Sequence, residues 1–199
     1  MAIEIAQRRF TVDEYERMAE IGIIGPDEKV ELIDGTIVTV PPSGAAHGGG
    51  INRLTYLFVL RLGDRVVVQP QLPVRISDYS LPEPDLAILA ADAAFYATRR
   101  PRMPDVVAFV EVSYSSVSFD RGTKLRAYAR ARVPEYWIVN VRDNRITVHR
   151  DPNDVGYATS FDVPAGGRIA FAAFPDETFS AEEILPQIGA PPSGEIENS

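Results

Sequence analysis

The chain has 199 residues, 45% of them hydrophobic and 24% charged, with a net charge of −8 and no cysteine. A chain of this length and composition fits one globular domain. The absence of cysteine excludes disulfides and thiolate metal sites, and the acidic balance argues against a large passive nucleic-acid binder, which needs Lys and Arg to neutralise phosphates. No apolar run is long enough to span a bilayer, and Glu4 interrupts the N-terminal stretch where an export signal needs an apolar segment, so the expectation is a cytoplasmic protein.

The first predicted element is a short helix over Thr11 to Ala19. Thr11 and Glu14 have the spacing of a capping box. Lys29 to Ile33 and Thr36 to Val40 read as strands joined by Asp34-Gly35, a strong hairpin signal, and Pro41-Pro42-Ser43-Gly44 ends the second strand. Ile51, Leu54, Phe58 and Leu62 recur at helical spacing and predict an amphipathic helix from His47 to Leu62.

Val66 to Gln69, Leu72 to Ile76 and Asp85 to Ala90 read as strands, and Ala91 to Pro104 as a loop or partial helix. Val106 to Val112 is almost continuously apolar, as expected of a strand covered on both faces. A helix over Ser118 to Arg132 follows. Glu135 to Val141 and Arg145 to His149 form a second hairpin around Arg142-Asp143-Asn144. Weaker strands are expected near Tyr157 to Asp162 and Arg168 to Phe171, then a short helix capped by Ser180 and Glu183. Residues 1–189 form one domain in this reading, and the Pro, Gly, Ser and Glu composition of 190–199 predicts a disordered tail. The order of elements gives a mixed α/β sheet flanked by helices, with an N-terminal β-hairpin.

Several polar residues stand out against this frame. Strand alternation puts Val107, Phe109, Glu111 and Ser113 on one face and Val106, Ala108, Val110 and Val112 on the other. Glu111 is either a strand end emerging into water or a carboxylate that needs a partner or a metal. Asp85, after Pro82-Glu83-Pro84, is either a Pro-Asp turn residue or a second carboxylate that meets Glu111 at one sheet edge, where Mg²⁺ would relieve their repulsion. Lys124 shares a helix face with Asp120 and Tyr128. It either pairs with Asp120 four residues back or reaches over the sheet end towards a phosphate. Glu31, in the first hairpin, is either solvated or a further carboxylate of the same site.

Arg99, Arg100 and Arg102 cluster, and Arg121, Arg126, Arg130 and Arg132 crowd one segment. These are either solvated faces or contacts to a phosphate backbone, Arg121, Arg126 and Arg130 being the candidates. His47-Gly48-Gly49-Gly50 is like a lipase oxyanion loop, but no nucleophile elbow follows. His47 itself, at a helix start, is either a capping or solvated residue or a site candidate, and two histidines with no His-Glu-x-x-His argue against the usual zinc hydrolases.

Val30-Glu31-Leu32-Ile33-Asp34-Gly35, Pro41 to His47, Pro84-Asp85, Glu111-Val112-Ser113, Asp120, Lys124, Tyr128 and Glu135 to Val139 occur in an order that resembles the Uma-two family, within the PD-(D/E)XK nucleases. The likeness runs from about Phe10 to Leu185. It implies a restriction-endonuclease-like α/β core in which Asp85, Glu111 and the Val112 carbonyl hold Mg²⁺ or Mn²⁺. Lys124 would orient water and counter phosphate charge, and Glu31 would support the metal or water. Ser113 stands where the pattern has its lysine, so Lys124 is the expected replacement.

The resulting expectation is a Mg²⁺-dependent endonuclease acting on nucleic acid, DNA in the first instance, with no membrane partner. A homodimer would suit duplex cleavage, the Tyr136 to Val139 and Ile146 to Val148 hairpin being either its interface or core. The alternative is a catalytically inactive nuclease-fold module that binds nucleic acid or a protein. A toxin or self-element nuclease is a third possibility.

Overall fold

The computed structural model describes residues 7–40, 44–114 and 116–185. The expected tail at 190–199, the break at Pro41 to Ser43 and the N-terminal Glu4 lie outside these residues. α1 (Val12–Glu20) starts at the predicted capping box. Thr11 Oγ1 accepts from the Glu14 N–H, and Glu14 Oε2 accepts from the Thr11 N–H. β1 (Val30–Ile33) and β2 (Thr36–Thr39) form the predicted hairpin. Asp34 (φ 50) and Gly35 (φ 78) make its turn, a conformation that Asp tolerates and Gly favours.

α2 (Ala45–Leu62) leads to β3 (Val66–Pro70), β4 (Leu86–Ala90) and β5 (Val106–Ser113). A helical segment follows in three pieces: α3 (Val117–Phe119), a π turn (Asp120–Lys124) and α4 (Leu125–Arg130). β6 (Glu135–Asn140), β7 (Arg145–Pro152) and β8 (Tyr157–Val163) complete a six-stranded sheet ordered β3-β4-β5-β6-β7-β8. Only β5 and β6 pair in parallel within it, and the helical segment makes that crossover. β9 (Arg168–Ile169), β10 (Phe179–Ser180) and α5 (Ala181–Ile184) close the described chain, with the Ser180–Glu183 capping box in place. The result is a mixed α/β sheet flanked by helices.

Both faces of the central strands are dry. On one, α2 and the C-terminal segment cover Leu86, Ala108, Val110, Val112, Trp137 and Val139. Trp137 stacks on Phe171 with centroids 4.2 Å apart, and Phe58 meets Trp137, Phe171 and Phe179 edge-on. Each such aromatic contact adds about 0.5–1.5 kcal/mol beyond area burial. On the other face, Tyr128 from α4 and the loop residues Val74, Ile76 and Tyr96 cover Phe109, Tyr136 and Ile138.

α2 lies close to the sheet because Gly50 lacks a side chain: a Cβ there would sit 2.8 Å from Val112 Cγ1. Gly50→Ala is therefore expected to destabilise by about 1–3 kcal/mol through overpacking, despite alanine's better helix propensity. Chemical denaturation checks this; a stabilised variant would show that the helix can move away without loss.

Four expectations need correction. Leu72 to Ile76 is not a strand: Val74, Arg75 and Ile76 donate their N–H groups to Pro82, Pro101 and Ser80 in neighbouring loops. The helix after β5 runs Val117 to Arg130 rather than Ser118 to Arg132, and it is interrupted by the π turn. A bulge opposite Ile88 and Leu89 gives β5 one extra residue, so Val106 faces the Phe109 side and Val107 the α2 side, the reverse of simple alternation. The second hairpin is core rather than interface, with Tyr136 to Val139, Ile146 and Val148 all at 0% exposure. Among the described residues, no helix is long and apolar enough to cross a membrane.

Candidate active site

Glu111 sits two residues from the end of β5, on the face covered by the helical segment, and is 3% exposed. Its Oε1 accepts from Lys124 Nζ at 2.9 Å and from the Tyr128 hydroxyl at 2.8 Å. Its Oε2 accepts from the Asp85 N–H at 3.3 Å. Asp85 immediately precedes β4. It is tied from two sides: Val112 N–H donates to its Oδ2 at 2.8 Å, and His47 Nε2 lies 2.9 Å from its Oδ1. Because an extended residue turns its N–H and C=O to the same side, the Val112 carbonyl also faces Asp85, away from β6. The Ser113 carbonyl faces the other way and accepts from the Val141 N–H.

Lys124 is the centre of the cluster. It is 4% exposed, and its Nζ also lies 3.3 Å from Glu31 Oε1. Of its two possible roles, the geometry excludes the i,i+4 pair. Asp120 Oδ2 instead accepts from the hydroxyls of Ser113 (2.5 Å) and Ser116 (2.7 Å). The π turn carries both Asp120 and Lys124 on its buried side, an irregularity often found at functional sites. Ser113, at the position expected to hold a lysine, thus fastens the start of the helix that delivers Lys124.

Glu31 is buried, not solvated, and among the described residues its Oε2 meets no donor at hydrogen-bond geometry, although the Glu83 backbone N–H acts with Lys124 to favour its charged form. So Asp85, Glu111, Lys124 and Glu31 converge, with Val112 contributing its backbone beside Asp85. His47, read from sequence as a cap, a solvated residue or a site candidate, belongs to the cluster; Gly44 is the N-cap of α2. No local signal marks His47, since its partner is 38 residues away. Of the proposed backbone-contacting arginines, Arg130 pairs with Asp34, and Arg121 turns to Thr147 on β7.

The electrostatics follow from burying several acids together. Burial pushes Glu111 well up from the usual carboxylate range, and Asp85, Asp120 and Glu31 add to it. Burial likewise raises Glu31 and Asp120. Burial works against the Lys124 ammonium, but Glu111, Glu31 and Asp120 outweigh it and Lys124 keeps its proton. The hydrogen bond to Asp85 raises His47. Among the described residues, no three His, Cys, Asp or Glu side chains are already arranged as a metal-ligand group.

A pH dependence follows. Glu31, Glu111, Asp120 and His47 all titrate higher folded than unfolded, so their contribution is complete below the unfolded pKa and lost as pH climbs through the folded one. His149, lowered from 6.5 to about 4 by burial, runs the opposite way, but its contribution is complete above pH 6.5. The metal-free melting temperature is therefore expected to fall as pH rises from 6.5 into the mildly alkaline range, and Glu111→Gln should flatten the slope. A melting temperature that rises over that range would contradict the assigned shifts.

Comparison with known proteins agrees with this architecture. A solved structure from Anabaena variabilis ATCC 29413, described as "a putative nuclease belonging to DUF820", superposes with a TM-score of 0.70 at 12% identity, covering 88% of this chain and 97% of that one. At that identity the likeness establishes a shared fold. No curated protein matches the chain. The model of the Uma2 family, described as "Putative restriction endonuclease", matches residues 12–186, which include every residue of the cluster. The chain belongs to the Uma2 family.

Proposed function

We propose that the protein is a Mg²⁺-dependent endonuclease, with Mn²⁺ as a substitute, that hydrolyses phosphodiester bonds in DNA. The observation that carries the reading is the reach of Lys124 to Glu111 and Glu31 instead of to Asp120. That reach puts an amine beside the carboxylates at the sheet end, where the lysine missing at Ser113 would have stood.

The cluster's chemistry fits a hard divalent cation. Its donors are carboxylate and carbonyl oxygens, its acids outnumber its cations, and Glu31 Oε2 is an enclosed oxygen with no hydrogen bond among the described residues. Asp85, Glu111 and the Val112 carbonyl would hold the ion, with Glu31 in support. Once bound, it would supply Lewis acidity at the phosphate.

The side chains do the rest. Lys124, kept charged by its carboxylates, donates to the attacking water or to a non-bridging phosphate oxygen as negative charge grows there. Glu111 and Glu31 hold that ammonium in place, and Tyr128 fixes one Glu111 oxygen. Water's oxygen bonds to phosphorus as the ester P–O bond breaks; the water's proton leaves through the acidic cluster to solvent, and the departing ester oxygen takes a proton from solvent, giving a phosphomonoester and an alcohol. Two cuts in a duplex call for two sites, so we place a homodimer with the duplex substrate.

The test is incubation of the full chain with plasmid, single-stranded DNA and RNA, with Mg²⁺, Mn²⁺ or chelator. Metal-dependent DNA cleavage is expected. Failure to cut any of these with either metal would leave the inactive nucleic-acid- or protein-binding module, which the serine at 113 and the charge of −8 favour. Calorimetry with Mn²⁺ then separates a metal site from an inert one.

A further inference from the structure

A second polar hollow lies on the same sheet face as Glu111, beyond the helical segment. Strand pairing aligns Glu111 with Ile138, Ile138 with Thr147, and Thr147 with Asp162, so these side chains share a face. Thr147 is two strands from Glu111, about 10 Å at ordinary strand spacing. The helical segment offers Lys124 and Tyr128 to Glu111, and Arg121 and Leu125 to the hollow. The hollow has a volume of about 470 Å³, in the range of small-ligand sites.

Its polar wall differs from the arginine clusters that the sequence singles out. Elsewhere Arg99, Arg100, Arg130 and Arg132 are each held by a carboxylate. Arg121, by contrast, makes no ion pair among the described residues, and its one side-chain hydrogen bond, to Thr147 Oγ1, is long at 3.4 Å. Arg145 stands beside it, half-exposed and only loosely paired with Asp162 at 3.5 Å. The hollow thus sets two guanidiniums against one carboxylate in a chain of net charge −8. Asp162 is already occupied by the Thr147 hydroxyl at 2.7 Å.

His149 lines the same hollow. It is 6% exposed, it is stacked on Tyr136, and among the described residues its enclosed Nε2 has no hydrogen-bond partner. Burial and the nearby Arg121 charge keep the ring neutral. An unpartnered buried nitrogen costs free energy unless something bound there uses it or reorganises it. The cavity at Pro73 and Phe95, about 1040 Å³, offers no such set: Arg75, Arg99 and Arg100 on its wall pair with acids, and although Arg102 there makes no ion pair among the described residues, no buried unpartnered atom faces it.

We propose that this hollow is an anion site that takes a phosphate group, with Arg121 and Arg145 supplying charge and Ser160 and His149 supplying neutral hydrogen-bonding groups. The phosphate belongs either to a nucleic-acid strand or to a free phosphomonoester. The site is defined by its own residues and stands whether or not the chain cuts DNA.

The chain has two histidines, His47 and His149, so ring signals in a histidine-labelled sample report each place separately. The probes are inorganic phosphate, a deoxynucleoside monophosphate and a short oligothymidylate without terminal phosphate. The expected result is a saturable shift of the His149 signals. Arg121→Gln and Arg145→Gln should each weaken it about tenfold and lower its salt dependence, as removal of a phosphate contact does. Asp162→Asn, which removes the opposing carboxylate, should tighten binding several-fold, an effect of opposite sign that a folding defect would not produce.

A shift with the oligothymidylate assigns the site to a strand phosphodiester, and a shift with the two monoesters alone assigns it to a free phosphate. His149 signals unmoved by all three probes, or moved in both arginine variants as strongly as in wild type, would overturn the proposal. Because no step of this readout is cleavage, its failure is distinguishable from failure of the nuclease reading.

Discussion

Glu111→Gln is expected to abolish metal-dependent cleavage, by at least about 10³-fold or ~4 kcal/mol of barrier, in a chain that still folds. The amide keeps a carbonyl oxygen for the Lys124 and Tyr128 donors but loses the charge that a cation would bind. Lys124 retains Glu31 at 3.3 Å, so its ammonium is not left unpaired. The stability change should therefore stay within about 1–2 kcal/mol. Glu111→Ala is different. It opens a cavity and removes the nearer partner of a buried cation, and about 3–5 kcal/mol of destabilisation is expected. Thermal unfolding, cleavage and Mn²⁺ calorimetry on both variants form the measurement. Glu111→Gln protein that cuts within tenfold of wild type would sink the assignment of Glu111.

Lys124→Met should lower the cleavage rate by about 10²–10³-fold and also destabilise the metal-free chain. The thioether fills most of the volume but leaves Glu111 and Glu31 buried without their shared cation. Both carboxylates then prefer the protonated form even more strongly than in wild type, where burial already raises them. A group titrating higher folded than unfolded stabilises at low pH and loses that effect as pH rises. The deficit relative to wild type should therefore be small near the ordinary glutamate value of 4.5 and grow towards neutral pH. Added Mn²⁺ should restore part of the lost stability, a readout independent of activity. A pH-independent deficit, or none, would mean that the Lys124–carboxylate contacts are energetically idle.

Much of the scaffold was legible because its signals are local. The Asp34-Gly35 turn works through the backbone conformations of two residues, and the Thr11–Glu14 and Ser180–Glu183 boxes through three-residue spacing. Leu72 to Ile76 misled for the converse reason. Val74 and Ile76 alternate and are buried as in a strand, but their N–H groups bond to loop carbonyls, a pairing that hydrophobicity does not encode. The bulge at Val106–Val107 is also invisible in an apolar run, because either face suits valine. It leaves Glu111 and Ser113 on their expected side only because it lies upstream of them.

By itself, the sequence determined the order of elements, the hairpin turns, the buried central strand and the set of acids and lysine that could form a site. Those features depend on periodicity, turn chemistry and side-chain type, all of them short-range. Tertiary structure decided which residues meet: Lys124 with Glu111 and Glu31 rather than Asp120, Asp120 with Ser113, and His47 with Asp85. Among the described residues it also left Arg121 without a carboxylate, two strands along the same sheet face from Glu111. Such partnerships join residues far apart in the chain, and they depend on strand order, a π turn and the close approach of α2 at Gly50, none of which is written in any local run of residues.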